Sequence, residues 1–202
     1  MFLLKLPFLT YKRSVKALNI VSAYACSAIV LIISLTIFNN NQELVNPTII
    51  TNFILVVALT SGFELGLVKS SLINSYGPKQ QNFDLYLLFK KTSVKALIPS
   101  IFISILWISF GGSLSIVSKI IFSYSMCLIG VFTAELRVVF NHIKSYSIAA
   151  WVKQAGMTIG ILAFLIGIYF GFGQFLSLFL YCLTRAVWLA LVSYKYKKIS
   201  SG

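Results

Sequence analysis

Arg185 stands deep inside an apolar run, eleven residues after Gln174 and ten before Lys195, with no other charge between them. At about 100° per residue, Gln174, Ser177, Tyr181, Thr184, Arg185 and Trp188 share one face of a helix, and Phe175, Phe179, Leu183 and Ala190 occupy the opposite side. A cation on such a stripe has two kinds of work open to it. It can pair with an acid and fix the orientation of a helix bundle. Alternatively, it can face a cavity and hold an anionic substrate, with Tyr181 and Gln174 as hydrogen-bonding neighbours. The residue types leave both readings open.

Two glutamates are the candidate counterparts. Glu64 has Thr60 and Ser71 on its face at spacings of four and seven, and Glu135 has Tyr124 eleven residues earlier on the same face. Arg137 follows Glu135 by two positions and so points elsewhere, toward the membrane interface. Either acid can neutralise a cation in the bundle, Arg185 included, or serve as a protonation site coupled to transport; neutralisation is the simpler role. Little else supports chemistry. The only histidine, His142, sits in a polar turn, and Cys26, Cys127 and Cys182 fall singly in apolar runs as small packing residues. No Ser/His/Asp set, paired surface acids, phosphate-cradling glycine loop or metal-ligand spacing occurs. The expectation is a chain that is not an enzyme and holds no metal and no cofactor.

The elements that must position Arg185 follow from composition. Hydrophobic residues make up 58% of the chain and charged residues 10%, with a mean hydropathy of +0.91; a soluble domain carries about 25% charged residues. So little polar surface cannot face water on all sides, and lipid is the solvent that fits. Backbone groups in lipid must bond internally, which selects helices over open sheets. A hydrocarbon core of about 30 Å needs about 20 apolar residues per helix. The runs place six spans at about 17–38, 48–68, 96–112, 119–140, 148–171 and 174–194, forming a single six-helix transmembrane domain over 1–202.

Charge then orients the bundle. The net charge of +13 arises from 17 Lys and Arg against 4 Asp and Glu. The cations cluster at the ends of the apolar runs, which argues for membrane orientation and against nucleic acid. All of them except Lys119 and Arg185 fall on one side of the spans, so the positive-inside rule places both termini in the cytoplasm. Tyr146, Trp151, Tyr194 and Tyr196 sit where an aromatic belt belongs on that side. The basic start runs into an apolar stretch too long for a cleavable signal, which makes the first span an uncleaved one.

Two further segments bear on packing. The connection 77–93 is polar at 78–82 and then apolar with a basic end at 83–91. It reads equally as a loop with an interfacial helix or as an extension of the third span. In the fifth span, Gly156, Gly160, Gly167 and Gly171 lie within a narrow arc, a small-residue stripe for close helix contact within the chain or with a second copy.

Residues 61–71, SGFELGLVKSS, resemble the second helix of the bacterial polysaccharide (O-antigen type) flippases, where an acidic residue, Leu and Gly precede a small-residue helix end. Residues 135–150, ELRVVFNHIKSYSIAA, resemble their fourth helix, cytoplasmic turn and fifth-helix start. Arg137 stands for the family's helical arginine, and Lys144 and Tyr146 for its basic–aromatic turn. The pattern of long and short loops is similar too. The resemblance implies an all-α, MATE-like fold of the multidrug/oligosaccharidyl-lipid/polysaccharide exporter superfamily, in which two six-helix lobes rock around a central cavity. It also implies transport of undecaprenyl-diphosphate-linked oligosaccharide across the bacterial cytoplasmic (inner) membrane, with membrane lipid and the lipid-linked oligosaccharide as partners. Arg185 is then a contact for the diphosphate by position, while Glu64 and Arg137 match the family pattern as architecture. Such flippases have twelve or more helices, and alternating access needs two repeats. The expectation is therefore a half-length or truncated flippase-like transporter completed by a second six-helix lobe, as a homodimer or with a separate chain. The alternative is a non-transporting membrane subunit or inactive remnant.

Overall fold

Residues 85–142 and 146–200 are described in the computed structural model, together with Ala25, Ile29, Phe53, Ile54, Val56, Val57 and Leu59. Among the described residues every regular element is an α-helix: α1 (Leu85–Lys95), α2 (Leu97–Ser109), α3 (Ile116–His142), α4 (Tyr146–Tyr169) and α5 (Gly173–Ser200). Four stretches are long and apolar enough to cross a membrane: Leu88–Ser109, Ile116–Phe140, Ile148–Tyr169 and Gly173–Tyr194. The last three agree with the sequence reading to within three residues at each end. The expected spans 17–38 and 48–68 lie almost wholly outside the described residues, and with them the six-span count over 1–202.

The third span begins eight residues earlier than 96–112, because α1 runs on into α2. Ala96 N–H donates to Thr92 O at 2.9 Å and Ser100 N–H to Ala96 O at 3.1 Å, carrying helical bonds across the joint. Pro99 has no N–H for the Lys95 carbonyl, and the regular helix lapses there. From Leu85 onward the segment is helical and continues toward α2, in line with the reading of 83–91 as an extension of the span. Leu88 and Thr92, four apart, are both buried, and Thr92 Oγ1 bonds back to Leu88 O at 3.1 Å.

Helix α3 packs against each of the other four, and α4 and α5 form the most extensive single contact. The core divides into two clusters along the bundle. One gathers Ile103, Trp107, Met126, Phe164 and Tyr181 with Phe53, Val56 and Val57 from the second expected span. The other gathers Leu88, Leu136, Phe140, Val152 and Leu189 toward the lysine-rich end. Cys182 touches both clusters, so its neighbourhood on α5 is the junction between them. Outward, Ile98, Ile101, Ile105, Val117, Phe170 and Leu191 are exposed, the pattern of a bundle whose outer solvent is hydrocarbon.

The turn between α4 and α5 depends on Gly171 at φ +72°. Gly171 N–H donates to Ile168 O and Phe172 N–H to Gly167 O, each at 3.0 Å, the paired bonds of a Schellman ending that needs a left-handed residue. Gly171 therefore belongs to the turn and not to the packing stripe predicted for it.

Candidate functional site

The glycines of α4 and the polar stripe of α5 are two sides of one contact. A Cβ placed on Gly156 would lie 2.7 Å from Trp188 Cδ1, and one on Gly160 would lie 2.7 Å from Arg185 Cγ and 3.0 Å from Tyr181 Cδ2. On Gly167 it would lie 2.7 Å from Ser177 Oγ and 3.1 Å from Ser177 Cα. The missing side chains let the polar residues of α5 lie directly over the backbone of α4. Contact this close gains dispersion energy, which is what holds helices together where lipid removes the hydrophobic drive. The stripe is packing, as its spacing implied, and its partner is the same chain.

Arg185 is 6% exposed and its stem crosses Gly160. Its Nη1 donates to the Tyr181 hydroxyl at 2.7 Å, one helical turn away, and its guanidinium carbon lies 5.5 Å from the Tyr181 ring centroid. The Tyr181 ring is fully buried and meets Phe53 edge-on at 5.1 Å, and Phe53 in turn stacks on Phe164 at 3.8 Å. Further along the seam, Trp188 Nε1–H donates to Val152 O at 3.1 Å. Gln174 accepts from Ser113 Oγ at 3.0 Å, tying the start of α5 to the turn between α2 and α3. Of the three predicted substrate contacts, Arg185 and Tyr181 are brought together. Gln174 shares their stripe but sits about two turns from Tyr181 and three from Arg185.

Glu135 is 1% exposed, and its Oε1 accepts from Lys95 Nζ at 2.7 Å. The acid offered in sequence as a counterpart for Arg185 is thus committed to a different cation. Helix α1 extends into the bundle and carries Lys95, expected in a connecting loop, down to the face of α3 that Glu135 shares with Tyr124. Tyr124 also reaches α1, its hydroxyl 3.4 Å from Ser93 O. Among the described residues Glu135 Oε2 has no hydrogen-bond partner, nor has Nε of the half-buried Arg137, and both atoms are buried. Arg137 takes no part in the Lys95–Glu135 pair. Glu64 lies outside the described residues.

Sequence reasoning missed two cations. Lys95 follows Lys90, Lys91, Thr92 and Ser93, so its sequence neighbours place it with the membrane-edge lysines and give no sign of its pairing with Glu135. Lys119, assigned to the surface opposite the basic side, is 4% exposed, and its Nζ donates to Gly111 O at 2.9 Å. Its signal was the Gly111–Gly112 turn eight residues upstream, where Gly111 at φ +74° turns a carbonyl back toward α3.

The opposite side of α5 behaves differently. Phe175, Phe179, Leu183 and Ala190, the residues placed in sequence across from Arg185, line an apolar groove of about 650 Å³. Helix α3 forms its other wall from Ser118 to Phe132, and Phe89 of α1 closes one end. The groove does not include Arg185, Tyr181 or Gln174. Cys127 and Cys182 are free thiols, and Cys182 lines the groove.

Comparison of the chain with protein-family models, with curated proteins and with solved structures finds no match.

Proposed function

We propose that this chain is one lobe of a two-lobe, MATE-like membrane transporter for undecaprenyl-diphosphate-linked oligosaccharide, working with a second lobe in a bacterial cytoplasmic membrane. The observation that carries this reading is the α4–α5 seam. A lobe that rocks against another must move as one body, and contact at Gly156, Gly160 and Gly167 makes these helices such a body. The resemblance of residues 61–71 and 135–150 to polysaccharide flippases points the same way. In this reading Arg185, with Tyr181 and Gln174 on its stripe, supplies the mid-membrane cation for a diphosphate, and both termini are cytoplasmic.

The test is complementation of a flippase-deficient strain by the chain expressed with a second lobe, either another copy or a separate chain. Arg185→Ala should abolish complementation at unchanged protein level, and Arg185→Lys should retain part of it. No complementation with any second lobe sinks the proposal.

A second reading is favoured by a specific observation: Arg185, Tyr181 and Gln174 are all engaged within the bundle. On this reading the chain is a non-transporting membrane subunit or an inactive remnant, and Arg185 orients helices. Arg185→Ala would then lower the amount of folded protein, and every Arg185 effect would track stability alone.

A further inference from the structure

We propose that the groove between α3 and α5 retains one anionic phospholipid, with an acyl chain along the groove and its phosphate at the lysine-rich end. The inference needs only a membrane-spanning bundle and is independent of transport. Its first support is dimension. The groove runs from Ser118 to Phe132 on α3 and from Phe175 to Ser193 on α5, about 21 Å and 27 Å at 1.5 Å per residue. The two helices run in the same direction, and Phe122 and Phe175 meet at 5.3 Å near one end. A volume of about 650 Å³ over that length leaves a section of about 24–31 Å². That free space is enough to seat a single hydrocarbon chain along the groove.

The second support is charge. Phe89 closes one end, and the next two residues, Lys90 and Lys91, are exposed. Ser193 marks the same end on α5, and the sequence beyond it reads YKYKK at 194–198. At the far end the nearest described lysine, Lys119, is buried and bonded to Gly111 O. Glu135, the only carboxylate among the described residues, is paired with Lys95. Among the described residues one end of the groove is thus cationic and the other is not, which selects a lipid with an anionic head over a zwitterionic one. Each lysine at a membrane surface favours an anionic headgroup by about fivefold.

The full chain is reconstituted in vesicles of equal parts phosphatidylglycerol and phosphatidylethanolamine and extracted in mild detergent. Native mass spectrometry then counts the lipids that stay bound. One retained lipid per chain, mostly phosphatidylglycerol, is expected. Ala186→Trp and Ala190→Trp, which fill the groove from α5, should lose it. Val187→Trp, on an exposed position outside the groove, should keep it. Lys90→Gln and Lys91→Gln should each reduce the preference for phosphatidylglycerol about fivefold while lipid is still retained. Ala186→Leu replaces the tryptophan variants if thermal unfolding shows that they do not fold. Lipid retention unaffected by groove filling, or a retained lipid with the vesicles' own composition, overturns the proposal. So does displacement of phosphatidylglycerol by a trace of polyprenyl phosphate, which would make the occupant an isoprenoid chain. Disulfide crosslinking between copies of Ala190→Cys in vesicles would assign the groove to a second copy and overturn it equally.

Discussion

One side of α5 lays Ser177, Tyr181, Arg185 and Trp188 over the glycines of α4, and the other side leaves Phe175, Phe179, Leu183 and Ala190 along an open groove against α3. In water the apolar side would be the one driven inward. Here the polar side is closed and the apolar side open, because lipid is no worse a neighbour for phenylalanine than protein is. An unpaired guanidinium or indole N–H in hydrocarbon is costly, so Arg185 and Trp188 go where Tyr181 and the Val152 carbonyl can receive them. Polarity decides which side of α5 turns inward, and the glycines decide how closely it can settle.

Four measurements of unfolding in bilayer or detergent would break or sharpen that contrast. The largest effect belongs to the other polar contact inside the bundle. Lys95→Met should cost about 3–5 kcal/mol, because it leaves the Glu135 carboxylate buried and uncompensated. Glu135→Gln should cost only about 1 kcal/mol, since Lys95 is one-third exposed and can turn to water; equal costs would mean that the carboxylate is not enclosed. Next, Gly167→Leu should cost about 3 kcal/mol by overpacking against the Ser177 backbone. Ala190→Leu on the groove side should stay within about 0.5 kcal/mol, and the contrast fails if the two costs match. Tyr181→Phe removes a hydrogen bond to a charged group and should cost about 1.5 kcal/mol. Smaller again is Trp188→Phe, about 1 kcal/mol, which removes the Nε1–H bond to Val152 O.

Much of this arrangement was legible from periodicity. The 100° rule separated Arg185 and Tyr181 from Phe175 and Phe179, and the four-residue spacing of Gly156 and Gly160 announced a close approach. What periodicity could not supply was pairing between helices. Glu135 and Lys95 are forty residues apart in sequence, and only the continuation of α1 through Ala96 brings them together. Lysines in the chain were taken as markers of the membrane edge. That holds for a solvated lysine and fails for one neutralised by a buried acid, which is why 96–112 began too late. Lys119 misled for a related reason: a backbone carbonyl at a glycine turn satisfies an ammonium without leaving any acidic partner to find. Function was less legible still, since a buried arginine bonded to its own helix satisfies an architectural role and a substrate-binding role alike.

The Lys95–Glu135 pair also has a consequence for how the chain is made. The helix carrying Lys95 leaves the ribosome first, and its acid follows forty residues later. At about 5–20 residues per second that interval is about 2–8 s. During it, Lys95, one-third exposed near the lysine-rich end, keeps its charge toward water without a counter-charge from α3. The burden falls on α3 instead: Glu135, 1% exposed, enters a place where its cation already stands, and the order of the two residues suits the acid.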